Sequence, residues 1–140
     1  VTNDNFPLSL NEGIPHTMTF DEQITKKYKT QSYEYNCYNI DNSLTISIVS
    51  SNNNDFFNFY LNYSKIDTNL VSKTSKYYFE RKYSQNLIIS AEELKKECKD
   101  KNQCKIYILV ESLSFSLKFN IVARGLRTSE AIKQGNLKTD

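Results

Sequence analysis

Two of the three cysteines lie close together in a polar segment, Cys98-Lys-Asp-Lys-Asn-Gln-Cys104. Paired cysteines can bind zinc, exchange electrons or form a structural disulfide. Zinc sites usually have four ligands from CxxC pairs or added histidines, whereas this chain has three Cys and one His. A redox pair is typically CxxC at the start of a helix, and Cys98 is predicted at a helix end. We therefore predict a disulfide between Cys98 and Cys104, which indicates maturation in an oxidising compartment.

Cys37 is the remaining cysteine. It is in phase with Tyr33 and Tyr35 on one face of a predicted strand, where a free thiol packs as a small hydrophobic side chain. A disulfide to a second chain is the alternative, so Cys37 is predicted to be a free or an intermolecular thiol.

One sequon for N-linked glycosylation is present, Asn62-Tyr63-Ser64. The alternation of its predicted strand places Asn62 on the more polar face, where a glycan could extend into solvent. Asn62 is therefore a candidate glycosylation site.

No catalytic constellation is evident. His16 is the sole histidine and lies next to a proline near the first predicted strand, an unfavourable position for the base of a catalytic triad. We interpret the adjacent acids Glu92 and Glu93 as solvated surface positions rather than an acid–base pair. With three glycines the chain also has no Gly-rich phosphate loop. We predict neither an enzyme nor a cofactor.

The composition restricts the class of partner. The net charge is +2, without the concentrated basic patch of a nucleic-acid binder. No apolar run approaches the roughly 20 residues that span a bilayer, so no membrane span is predicted. Tyr and Phe number 10 and 8, enough large rings for one core although only 39% of the residues are hydrophobic.

Short β-strands dominate the chain. Apolar alternation separated by turn-forming residues predicts strands at 17–20, 32–38, 44–50, 56–64, 76–83, 86–90, 104–112 and 115–125. Ser90 and Glu93 have capping-box spacing and predict one short helix near 91–97. We therefore predict an all-β fold, an antiparallel β-sandwich of jelly-roll or immunoglobulin-like outline with about eight strands. A barrel of four to six strands is the alternative.

Both ends of the chain are polar. Residues 1–14 form a predicted extended arm, 15–125 the β-sandwich domain and 126–140 a polar tail or linker. Phe6, Leu8 and Leu10 alternate along the arm. The arm could add as a strand to the sheet of a neighbouring copy, or it could fold back onto its own domain.

The order of strand motifs resembles the pre-peptidase C-terminal type of β-sandwich over roughly residues 15–125. The motifs that carry this resemblance are Tyr33/Tyr35, Leu44/Ile46/Ile48, Asn58-Phe59-Tyr60, Tyr107/Ile108/Val110 and Phe119/Ile121/Ala123. The resemblance implies a non-catalytic module of a secreted or surface protein. Some members bind calcium near an Asp-containing loop, which makes Asp55 a candidate ligand, but Asn58 stands where a further carboxylate would fall.

These observations predict a secreted or extracellular, non-catalytic β-sandwich that acts through protein–protein contacts. Its partners are proteins, possible copies of itself included, and the arm favours a structural or adhesive subunit of a surface or filamentous assembly. The alternative is a carbohydrate- or calcium-binding accessory domain of a larger secreted protein.

Overall fold

The computed structural model describes residues 7–20, 29–66, 75–99 and 104–126. Phe6 and the tail beyond Leu126 lie outside the described residues. Within these ranges the chain forms nine strands and one helix. The elements are β1 Leu8–Ser9, β2 His16–Phe20, β3 Lys29–Cys37, β4 Ser43–Ser50, β5 Phe57–Asn62, β6 Tyr77–Lys82, β7 Ser84–Ile89, α1 Ala91–Cys98, β8 Cys104–Ser112 and β9 Leu117–Leu126.

The strands form two sheets that pack face to face. The first sheet has the order β1-β3-β8-β5-β6 and the second has the order β2-β9-β4-β7. Neighbouring strands are antiparallel except β1, which pairs in parallel with β3. The predicted all-β sandwich is thus confirmed, and two separate sheets replace the alternative of a barrel. The eight predicted strands correspond to β2–β9, and β1 is the additional one.

The core lies between the sheets and follows the period of two residues that strands impose on side chains. Tyr33, Tyr35 and Cys37 of β3 point inward, as the alternation predicts. From the second sheet Phe119 meets Tyr33 edge to face, with ring centroids 6.4 Å apart. Such aromatic pairs add to the burial of a large apolar area, which explains how a chain with few aliphatic residues fills its core.

β5 lies between β8 and β6 in the sheet, and its side chains from Phe57 to Leu61 are buried on both faces. On the outer face Tyr60 stacks on Tyr78, with ring centroids 4.8 Å apart. The Asn58 amide donates to Glu111 Oε1 at 2.8 Å, and its oxygen accepts from the Arg81 N–H at 2.9 Å. Asn58 therefore satisfies the hydrogen-bonding groups of two neighbouring strands.

Helix α1 begins at Ser90, whose hydroxyl accepts from the Glu93 N–H at 3.1 Å. The interpretation of Glu93 as a solvated surface residue is wrong. Its carboxylate accepts hydrogen bonds from Tyr63 Oη at 2.7 Å and Tyr77 Oη at 2.5 Å. Glu93 therefore connects the helix to the first sheet. Helical spacing in the sequence cannot indicate this contact.

Replacing Glu93 by alanine should lower the free energy of unfolding by about 2–3 kcal/mol, since two charge-assisted hydrogen bonds are lost. Urea denaturation measures the change. Glu92→Ala is the matched control in the same helical turn, because Glu92 is exposed, and it should cost less than about 0.5 kcal/mol. Equal losses in the two variants would contradict this role of Glu93.

Ionisation of the partly buried tyrosines should lower the stability of the fold at alkaline pH. Burial, with a smaller contribution from Glu93, raises the pKa of Tyr77 to about 12. A group whose pKa is higher in the folded state stabilises fully below its unfolded pKa, and that stability is lost as the pH rises. Unfolding free energy should therefore fall between about pH 10 and about pH 12. Tyr77→Phe should reduce this slope, and an unchanged slope in that variant would contradict the assignment.

Candidate functional site

The arm docks on its own chain over the described residues 7–14. Leu8 pairs with Tyr33 of β3, and the Leu10 N–H donates to the Glu34 carbonyl at 2.9 Å. The Leu10 side chain is 7% exposed and belongs to the core, whereas Leu8 is partly exposed. These contacts of residues 7–14 agree with the alternative in which the arm folds back onto its own domain.

A turn then carries the arm across to the second sheet. Gly13 has a φ of +71°, the left-handed region that favours glycine. Its N–H donates to the Ala123 carbonyl of β9 at 2.8 Å. The arm therefore has main-chain bonds to β3 of one sheet and to β9 of the other.

Glu12 links the same two sheets through its side chain. Its carboxylate accepts a hydrogen bond from the Tyr35 hydroxyl of β3. Both carboxylate oxygens also lie 3.1 Å from the Gly125 nitrogen of β9 and accept from its N–H. Burial and then the neighbouring Glu12 raise the pKa of Tyr35, so this hydroxyl stays protonated and continues to donate.

A polar cavity of about 500 Å³ lies between the arm, the end of β3 and the loop that follows it. Its volume falls within the range of small-ligand sites. Glu12 and Glu34 contribute carboxylates, and Asn11, Asn36, Asn39 and Asn42 contribute amides. We call this cavity the arm pocket.

Two polar groups of the arm pocket restrict the chemistry of a ligand that could bind there. Glu34 Oε2 lies 3.6 Å from Lys105 Nζ, so part of its charge is neutralised locally. Asn36 Oδ1 is buried and has no hydrogen-bond partner in the described part of the chain. Buried polar atoms are nearly always paired, and a donor group of a ligand could pair this one only after a local shift of the Asn36 side chain.

The rim of the arm pocket carries Tyr38, which is 76% exposed. The loop that holds this ring is shaped by Asn39, whose side-chain oxygen accepts from the Asp41 N–H at 3.0 Å. Asp41 in turn lies 3.4 Å from Lys95 of α1. The pocket rim is thus connected to the helix.

Cys37 lines the arm pocket, and its thiol donates to the Asn39 carbonyl at 3.6 Å. The thiol is free, and burial raises the pKa of Cys37 above its ordinary value. Cys98 and Cys104 form the disulfide that their spacing predicts, with a Cα–Cα distance of 5.4 Å. This bond joins the end of α1 to the start of β8.

The other predicted site residues do not line the arm pocket. Asn62 is partly exposed, and its amide donates to Ser64 Oγ at 3.3 Å. Asp55 is half-buried in a turn, where its N–H donates to the Asn52 carbonyl at 3.0 Å. Among the described residues, no group of three or more His, Cys, Asp or Glu side chains could hold a metal ion. No helix within the described ranges is long and apolar enough to cross a membrane.

Sequence reasoning missed most of the arm pocket. The strand alternation correctly places Tyr35 and Cys37 on the inner face, but Glu12 and Asn36 have no local signal. They come together because the arm runs parallel to β3 from Leu8 onward. The one available signal is the short acid- and amide-rich segment Asn11-Glu12-Gly13 directly before the domain.

The fold is similar to that of a solved domain. The crystal structure of the pre-peptidase C-terminal domain of a collagenase from Bacillus anthracis matches with a TM-score of 0.53 and 9% sequence identity. The match covers 85% of this chain and 95% of that chain. It confirms the predicted resemblance at the level of the fold. No protein family model matches the sequence, and no curated protein matches it.

Removal of the Glu12 carboxylate should loosen the arm. Glu12→Ala removes the hydrogen bonds from Tyr35 and Gly125, a loss of about 2 kcal/mol. In a domain of this size that corresponds to a Tm lower by about 8 °C. Asn11→Ala is the control, since Asn11 is the neighbouring residue in the same turn and is exposed as Glu12 is. A Tm drop of equal size in both variants would contradict the role of the carboxylate.

Proposed function

We propose that this domain is a non-catalytic binding module of a secreted or cell-surface protein, and that the arm pocket binds a neutral carbohydrate. The observation that carries the proposal is the combination of a cavity of about 500 Å³, a lining of amides and carboxylates, and an exposed tyrosine ring at its rim. Concave sites with a few convergent polar groups are the usual places for small ligands.

The chemistry of the lining favours sugar hydroxyls over ions. Each hydroxyl both donates and accepts, and so do the side chains of Asn36, Asn39 and Asn42. The ring of Tyr38 could pack against the apolar C–H face of a sugar, which combines apolar contact with a polar rim. The Glu34 carboxylate could accept hydrogen bonds from sugar hydroxyls. The neighbouring Lys105 neutralises part of its negative charge.

Calcium fits the arm pocket less well. The ion requires six to eight oxygen ligands, several of them from free carboxylates. Both oxygens of Glu12 already accept hydrogen bonds from Tyr35 and Gly125. Asp55, the candidate from the sequence, does not line this cavity.

The proposed extracellular location is supported by two observations. The Cys98–Cys104 disulfide is a bond that forms and persists in oxidising compartments. The similar domain from Bacillus anthracis belongs to a collagenase. In a host that glycosylates secreted proteins, Asn62 is the proposed position of an N-linked glycan.

A second candidate function is a structural or adhesive subunit that binds copies of itself. The observation that favours it is the shortness of β1, which pairs with β3 over only Leu8 and Ser9. The same pairing between two chains would exchange arms and link the copies. Concentration-dependent polymers that disappear when residues 1–14 are deleted would support this candidate over a monomeric ligand-binding module.

Sugar binding can be tested by titrating the ¹⁵N-labelled domain with a panel of neutral oligosaccharides of glucose, galactose, mannose and N-acetylglucosamine. We expect amide shifts at Asn36, Asn39 and Asn42 with at least one member of the panel. Tyr38→Ala should weaken binding about tenfold, equivalent to about 1.4 kcal/mol.

Tyr83→Ala is the matched control, because Tyr83 is half-exposed and contacts the opposite end of β4 from the pocket. It should leave the affinity unchanged. Binding that is lost in Tyr83→Ala and kept in Tyr38→Ala would contradict the arm pocket as the site. No shift with any sugar of the panel would contradict carbohydrate as the ligand.

A further inference from the structure

All three cysteines of the chain meet at one place in the fold. Cys37 is the last residue of β3 and Cys104 is the first of β8, and the two are directly opposite each other in the antiparallel pair. Both side chains point into the core, with 4% and 1% of their surface exposed. Cys98, 2% exposed, reaches the same place from the end of α1 through its bond to Cys104.

The register permits a bond between Cys37 and Cys104. Directly opposite residues of antiparallel strands have Cα atoms about 4.5–5.5 Å apart, depending on the type of pair. Disulfides span Cα distances of about 4.4–6.8 Å, so either type of pair allows one. The existing bond of Cys104 to Cys98 spans 5.4 Å. Cys104 thus has two partners within bonding reach.

We propose that the three cysteines form an exchangeable thiol–disulfide set, in which Cys104 pairs with either Cys98 or Cys37. The Cys37 thiol gives its proton to solvent, and the thiolate so formed attacks Sγ of Cys104 and forms the new S–S bond. The bond between Cys104 and Cys98 breaks, and Cys98 leaves as a thiolate that takes up a proton from solvent. One disulfide and one thiol are present before and after the step, so no external oxidant or reductant is needed.

Exchange should be slow in the state described by the structure, in which Cys98 is bonded to Cys104 and Cys37 is a free thiol. Burial raises the pKa of the Cys37 thiol, and the thiolate is the attacking species. The backbone contact with Asn39 lowers this pKa in part, and the nearby Glu12 carboxylate, a smaller effect, raises it, so burial decides the direction. Because Cys37 lines the arm pocket, opening of this pocket is the route by which solvent reaches the thiol.

The exchange would change two parts of the molecule at once. A bond from Cys37 to Cys104 joins β3 directly to β8 and changes the floor of the arm pocket. It also frees Cys98, so that α1 loses its covalent connection to β8 and is held by contacts such as Glu93 with Tyr63 and Tyr77. This inference goes beyond the proposed function and is independent of whether the pocket binds a sugar.

Serine variants test the geometry. In Cys98→Ser, equilibrated with a mixture of reduced and oxidised glutathione, we expect Cys37 and Cys104 to join and no free thiol to remain. In the control Cys104→Ser, which also keeps two cysteines, Cys37 and Cys98 should join to a much smaller extent, because no strand register places them opposite each other. Circular dichroism establishes that both variants are folded. Two free thiols in folded Cys98→Ser would overturn the proposal, and so would equal bond formation in the control.

The wild-type chain tests the exchange itself and does not depend on a folded variant. After equilibration in the same glutathione buffer, free thiols are blocked with N-ethylmaleimide and the chain is cleaved with trypsin. Lysines place the three cysteines in separate peptides, Thr30–Lys65, Glu97–Lys99 and Asn102–Lys105. We expect a fraction of Thr30–Lys65 joined to Asn102–Lys105, with Cys98 blocked. Detection of only the Cys98–Cys104 pair would overturn the proposal.

Discussion

The Glu12 carboxylate is the contact on which the site depends, because it accepts hydrogen bonds from both sheets. Tyr35 donates to it from β3 and Gly125 from β9. Glu12 is itself exposed, so these bonds to an ionised acceptor hold the arm without the cost of burying a charge. Together with the main-chain bonds of Leu10 and Gly13, this connection holds the arm on the domain and encloses the arm pocket that Cys37 lines.

The fold could be predicted from the sequence because most strands of the sandwich have a buried inner face, as β4 does. A shift of one residue would expose Leu44, Ile46 and Ile48 together, so the alternation determines which face of β4 is inward. The similar domain has only 9% of its residues in common with this chain, which shows that the fold requires the pattern rather than particular side chains. The alternation of β5 does not predict that Asn58 is buried. Its burial depends on contacts with Glu111 of β8 and Arg81 of β6.

The candidate site could be predicted only in part. Local spacing predicts the disulfide of Cys98 and Cys104. The position of Cys37 opposite Cys104 can be known only from the register of β3 and β8. The sequence around Glu12 and Glu93 does not indicate their roles, because each depends on tyrosine hydroxyls distant along the chain. Contacts of this kind depend on tertiary packing, for which sequence periodicity provides no signal.

Amide hydrogen exchange of the wild-type domain tests most directly whether the arm docks on its own chain and builds the pocket. Three amides report on it: Leu10, bound to the Glu34 carbonyl; Gly13, bound to the Ala123 carbonyl; and Gly125, bound to the Glu12 carboxylate. We expect all three to be protected to a similar degree, as members of one cooperative unit, in a monomeric sample. Exchange of Leu10 and Gly13 at the rate of an unfolded chain, or protection that appears only when copies associate, would contradict this expectation.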